Sequence, residues 1–166
     1  MRTSINRLGL VVVLFALGSG CGRSQPPPYV PELGELMLLQ QVRHTKLWLA
    51  GNAGNWPLAN YEVQELDEGF DTILTYHPTH DESPVAPKDA IPRMVKVPLA
   101  DLREAVQSGD AKLFAERYDA LTAACNNCHQ ASNVGFNRVQ RPETNPFPNQ
   151  VFSPPGDANI VLAPAN

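Results

Sequence analysis

The 166-residue chain reads as all-α: a four-helix bundle over residues 32–132, followed by an irregular Pro-rich tail. Three observations predict this class. Apolar residues between 32 and 132 recur at spacings of three and four, the period of a helix with one buried face. The interruptions fall on Gly, Pro, Asn and Asp, residues that stop or cap helices. From residue 133 onward the periodicity gives way to Pro and Asn, which exclude a helix there. The periodic region, about a hundred residues, is long enough for one core and no more.

The first helix is expected from near Glu32 to near Ala50. Leu33, Leu36, Met37, Gln40, His44, Leu47 and Trp48 carry its period, and Gly51 and Gly54 end it. Asn55 is placed to cap the second helix, with Trp56 and Pro57 at its start. Leu58, Tyr61, Leu66, Phe70, Ile73 and Leu74 form one side of that helix, and Pro78 stops it. A long connection follows, punctuated by Pro78, Pro84, Pro87, Pro92 and Pro98. The third helix is short, from Leu99 to Gln107, closed by Ser108-Gly109. Asp110 is positioned to cap the fourth. Within it, Phe114, Tyr118, Leu121, Cys125 and Cys128 fall at spacings of four, three, four and three, which sets both cysteines on the buried face. In the tail, Phe136, Phe147 and Phe152 are expected to anchor part of the segment on the bundle.

The chemistry is concentrated in Cys125-Asn126-Asn127-Cys128-His129. This C-x-x-C-H run is the attachment signature of c-type haem. Two thiols three residues apart on a helix can add to the two vinyl groups of haem, and the adjacent imidazole can ligate the iron from the proximal side. A structural zinc site would need two further ligands, and no second C-x-x-C exists. The remaining histidines are His44, His77 and His80, and the last two flank Pro78 without zinc-finger spacing. A thioredoxin-like dithiol would sit in a βαβ pattern, which the sequence lacks.

The N-terminus reads as an export signal over residues 1–20. Arg2 and Arg7 precede an apolar stretch, Leu8 to Leu17, and Gly18-Ser19-Gly20 lead to Cys21. The stretch falls short of the roughly 20 residues that span a bilayer. Small residues directly before a cysteine resemble the bacterial lipobox, which implies that Cys21 is lipidated. Residues 21–31, with Pro26, Pro27 and Pro28 in a row, are a tether of extended geometry. Removing residues 1–20 takes away two of the 13 basic residues and none of the 17 acidic ones, so the formal charge moves from −4 to −6. Such a mildly acidic chain is not expected to bind nucleic acid.

The position of the motif, on the last helix of a four-helix pattern, resembles class II cytochromes c, the cytochrome c prime type. The methionines are Met1, Met37 and Met94, so none follows Cys128, and the ligand set of class I cytochromes is unavailable. The resemblance covers residues 32–132 and implies one covalent haem c on Cys125 and Cys128, with His129 as proximal ligand. It places the sixth iron position on the first helix. Met37 is the first candidate there and would favour electron transfer; a helical methionine is otherwise a core filler. His44, seven residues on and near the same face, is the alternative. A site with neither is open to small gases. Arg43 and Lys46 read as a solvated face with a second reading as propionate partners. Trp48, Trp56 and Tyr118 read as packing. The resemblance admits a homodimer, and the C-terminal tail is not part of that family's usual fold.

The expected function is one-electron transfer by a monohaem cytochrome, not catalysis, on the periplasmic side of the cell envelope. Its partners would be a periplasmic or membrane redox protein and, through Cys21, a lipid membrane. Gly22 after Cys21 favours the outer membrane by the lipoprotein rule. The alternative is a five-coordinate haem protein binding or sensing nitric oxide or carbon monoxide. A third reading is a structural lipoprotein in which haem staples the bundle.

Overall fold

The computed structural model describes residues 28–156; the export signal, Cys21, most of the tether and residues 157–166 lie outside the described residues. The described chain is all-α, with α1 Leu33–Asn52, α2 Trp56–Tyr76, α3 Pro87–Met94, α4 Lys96–Ser108 and α5 Ala111–Ala131. Helix α1 packs along α2, α2 along α4, α4 along α5, and α5 back against α1, while α3 bridges α4 and α5. No described helix is long and apolar enough to cross a membrane.

Local chemistry sets the boundaries. The Glu32 N–H donates to the Glu35 carboxylate at 2.9 Å, satisfying a backbone donor at the start of α1. Gly54 adopts φ +71, a left-handed conformation that turns the chain out of α1 and that a side chain would strain. Asn55 caps α2 as its sequence position predicts, accepting from the Leu58 N–H at 3.2 Å. Its Nδ2 donates to the Ser153 carbonyl at 3.2 Å, so the cap also ties down the tail. Asp110 caps α5 by accepting from Lys112 and Leu113 N–H at 2.9 and 3.0 Å. A cap of this kind stabilises by about 1 kcal/mol.

The Pro-rich connection departs from expectation. Residues 87–94 are helical, and the next helix begins at Lys96, three residues before the predicted Leu99. The reason is where each proline falls. Pro87 opens α3 and Pro98 lies in the first turn of α4, positions whose N–H has no helical partner. Only Pro92 is internal. It removes one backbone bond, to the Lys88 carbonyl, within α3; the break at Val95 falls in the turn before Pro98, which has no N–H to bond back to Met94.

Two glycines mark where helices touch. A Cβ on Gly69 of α2 would lie 2.1 Å from Arg43 Nη1 and 2.3 Å from Gln40 Oε1 on α1. A Cβ on Gly51 would lie 2.2 Å from the Phe114 ring of α5. On the opposite side, Asp67 of α2 pairs with Lys96 and Arg103 of α4, both at 2.5 Å, and Lys96 also reaches Asp71 at 2.6 Å. Partial burial alone would raise the Asp67 carboxyl. Hydrogen bonds from Lys96 and Arg103 outweigh it and hold the group below its usual range.

The tail packs more than a linker would. Phe152 is buried and Phe147 lies on the core, as the aromatic anchors predict. Phe136 does not follow: it is 86% exposed, because the turn after α5 carries it outward. Arg141 forks onto Asp119 at 2.6 and 2.7 Å and lies 4.2 Å over the Trp48 ring.

Candidate haem-binding cavity

The C-terminal half of α5 borders a cavity of about 310 Å³. Its apolar walls are Leu66 and Phe70 from α2, Ile91 and Val95 from α3 and its break, and Leu121 from α5. Cys125, Cys128 and His129 line it from α5, and Met37 and His44 line it from α1. Five residues that the sequence singles out for iron chemistry therefore share one space. The size suits a cofactor-scale ligand.

Of the two thiols, Cys128 is buried and Cys125 half-buried. Burial, with a smaller contribution from the neighbouring Cys128, pushes the Cys125 thiol up to about 12. Burial raises Cys128 as well. Such thiols stay protonated, unlike the low-pKa cysteines of dithiol oxidoreductases. Among the described residues, no three His, Cys, Asp or Glu side chains converge where they could hold one metal ion.

His129 is anchored through its far nitrogen. Nδ1 lies 2.6 Å from the Asn137 carbonyl, an acceptor, so Nδ1–H is the donor; in the neutral ring the lone pair is then on Nε2. This is the arrangement a ligating imidazole needs.

His44 is placed differently. Its Nε2 meets the Thr122 hydroxyl at 2.9 Å and its Nδ1 meets the Tyr118 hydroxyl at 2.9 Å. Its ring stacks on Tyr118 with centroids 4.5 Å apart. Both nitrogens are bonded in either tautomer, and burial pushes the imidazole down to about 4. His44 thus borders the cavity as a neutral member of a buried network.

Met37 is half-buried, packs on the core and makes no competing polar contact. Gln40, beside it on the cavity wall, is committed: Nε2 donates to the Leu66 carbonyl at 2.8 Å and Oε1 accepts from Arg43 at 2.9 Å. Arg43 also pairs with Glu65 at 3.1 Å, and Lys46 lies 5.4 Å over the Phe147 ring. Neither cation lines the cavity. His77 is bonded to the Pro31 carbonyl at 2.7 Å, and His80 is exposed on the surface.

Sequence reasoning missed one side of the cavity. Asn137 and Val139, from the tail, line it. They are held there by Asn126, inside the C-x-x-C-H run, whose amide pairs with the backbone of Val139 in both directions at 2.9 Å. The sequence gives no reason to match a helical amide with a residue 13 positions on.

Comparison with protein-family models, with curated proteins and with solved structures finds no match to this chain.

Proposed function

We infer that the protein is an exported monohaem c-type cytochrome of class II type that transfers single electrons at the periplasmic face of a cell envelope. One observation carries the reading: Cys125, Cys128 and His129 of the C-x-x-C-H motif line a largely apolar cavity whose facing helix contributes Met37. The helix arrangement agrees with it. Contacts that run from α1 to α2, α2 to α4, α4 to α5 and α5 to α1 support a four-helix-bundle reading, with α3 as a lead into α4.

The residues present fit haem c. Cys125 and Cys128 would hold it through thioethers, and His129 would ligate the iron through Nε2. Bound there, the group would supply a one-electron ferric/ferrous couple. The chain does the rest. Leu66, Phe70, Ile91 and Leu121 keep water from the site, and the Asn137 carbonyl orients the His129 ring. Both His44 nitrogens are engaged elsewhere, which favours Met37 over His44 as the sixth ligand.

The deciding experiment is optical and magnetic circular dichroism of the protein made with a c-haem maturation system. Expected are covalent haem and a low-spin ferric spectrum with the methionine-to-iron charge-transfer band. A high-spin ferric spectrum with rapid carbon monoxide binding on reduction would replace electron transfer with gas binding. Absence of covalent haem would overturn the reading. Lipid anchoring at Cys21, with a slight preference for the outer membrane, is part of the proposal. Cys21→Ser should release the protein from membranes, and continued membrane association would sink the anchor.

A further inference from the structure

We propose that residues 133–141 form a proximal strap whose function is to position His129, with Asn137 as the positioning residue and Asn126 and Arg141 as its fasteners. This rests on the reading of His129 as an iron ligand.

The strap begins where α5 ends. Asn133 takes φ +63, the left-handed conformation in which Asn is tolerated, and reverses the chain. The Val134 N–H then donates to the His129 carbonyl at 2.9 Å. The chain returns along α5 in close contact: a Cβ on Gly135 would lie 2.2 Å from Gln130 Oε1 and 3.3 Å from Gln130 Cα. Asn137 meets His129 through its carbonyl, and Val139 meets Asn126. Arg141 meets Asp119 and also donates to the Ala115 carbonyl at 2.9 Å.

Each fastener is specific. The Asn126 side chain donates from Nδ2 to the Val139 carbonyl and accepts at Oδ1 from the Val139 N–H, imitating a strand pairing. Arg141 holds both Asp119 oxygens in a planar fork and stacks on Trp48 of α1, so it clamps the strap to two helices. Between these points lie Asn137 and Val139, both on the cavity wall. The tail is thus built into the site.

The consequence follows from the bond to Nδ1. A carbonyl that accepts the Nδ1 proton fixes the tautomer and makes the ring a stronger donor at Nε2. A stronger donor favours the ferric state and lowers the reduction potential. Loosening the strap should therefore raise the potential.

The test uses the full-length, haem-loaded chain and the double variant Asn126→Ala/Arg141→Ala. Expected is a more positive midpoint by about tenfold in the one-electron equilibrium constant, or about 59 mV. Backbone hydrogen exchange at 137–141 should quicken, with thioether-bound haem retained. Asn126→Asp keeps the acceptor for the Val139 N–H and should fall between the two. An unchanged potential with the strap released would overturn the proposal. So would slow exchange at 137–141 in the double variant, since the fasteners would then not be holding the strap. A second readout separates this from the cytochrome reading. In the haem-free wild-type chain, ¹⁵N spectra should show His129 protonated at Nδ1, and protonation at Nε2 overturns the strap's hold. If Nδ1 is protonated but no haem is ever attached, the hold on His129 is supported and the cytochrome reading alone fails.

Discussion

The two halves of α5 are built on one period and filled in opposite ways. In the N-terminal half, Phe114 and Tyr118 are fully buried among Trp48, Trp56 and His44, with ring centroids 4.5 to 6.0 Å apart. No fully buried side-chain polar atom there lacks a partner: the Tyr118 hydroxyl reaches both His44 Nδ1 and the His44 carbonyl. In the C-terminal half, Leu121, Cys125 and Cys128 continue the buried stripe, but they face about 310 Å³ of space. The same hydrophobic pattern therefore makes a closed core at one end and a receptacle at the other. The difference lies in the facing residues. Trp48 and Trp56 fill the first half with indoles, and Met37 and Leu66 leave the second half short of volume. Apolar walls without partner atoms forfeit dispersion contacts, so a ligand there would add stability.

That contrast is tested first by emptying the receptacle. Cys125→Ala/Cys128→Ala should abolish thioether-bound haem and lower the thermal midpoint of protein made with a c-haem maturation system by more than about 10 °C. Haem staining on a denaturing gel and a melting curve read the two effects. Equal melting of the variant and wild type would mean that the space is not a ligand site. In the filled half, Phe114→Ala should cost about 3–5 kcal/mol by denaturant unfolding, because the ring is 1% exposed and touches two indoles. A cost near 1 kcal/mol would show that this half is looser than its packing indicates.

His44 lies on the boundary between the halves and supplies a pH-dependent test. It is neutral in the fold because burial pushes it down to about 4. The unfolded chain, with an ordinary imidazole near pH 6.5, binds the proton first as pH falls. Stability is therefore complete above about pH 6.5 and declines toward pH 4, by up to about 3 kcal/mol. His44→Gln should flatten that decline while leaving the iron spin state unchanged. A slope that survives the substitution would assign the acid sensitivity to other groups. Asp67 adds a separate loss at lower pH: its depressed carboxyl favours the fold above its unfolded value, near 3.8, and that contribution fades as pH falls through the folded value.

Much of this was legible because it is local. The Asn55 and Asp110 caps, the ends of α1 and α2 and the buried stripe of α5 each depend on residues within a turn or two. So does the C-x-x-C-H run. The illegible parts are those that join distant residues. Pro87, Pro92 and Pro98 read as breakers until their register is known, since a proline in a first turn costs a helix nothing. The His44 network depends on Thr122 and Tyr118, which are 78 and 74 positions away. The strap depends on side chains of α5 that point toward a segment with no period of its own. Phe136 shows the reverse error. It resembles Phe147 and Phe152 in sequence, and only the turn after α5 puts it in solvent.

The smallest perturbation is the most discriminating for the receptacle. Met37→Leu conserves volume and apolar character, so a half-buried site should lose less than about 1 kcal/mol. Packing is thereby held nearly constant while the thioether sulfur is removed. If Met37 only lines the wall, the spectrum of the loaded protein should match the wild type. If it is the sixth ligand, the same conservative change should convert low-spin iron to high-spin and open the site to carbon monoxide in the reduced state. The two halves of the molecule then differ in kind. Stability changes report on the filled half, where Phe114 acts through packing alone. At Met37 the unfolding curve should barely move while the magnetic circular dichroism changes, and a change in stability with no change in spin state would return Met37 to the core.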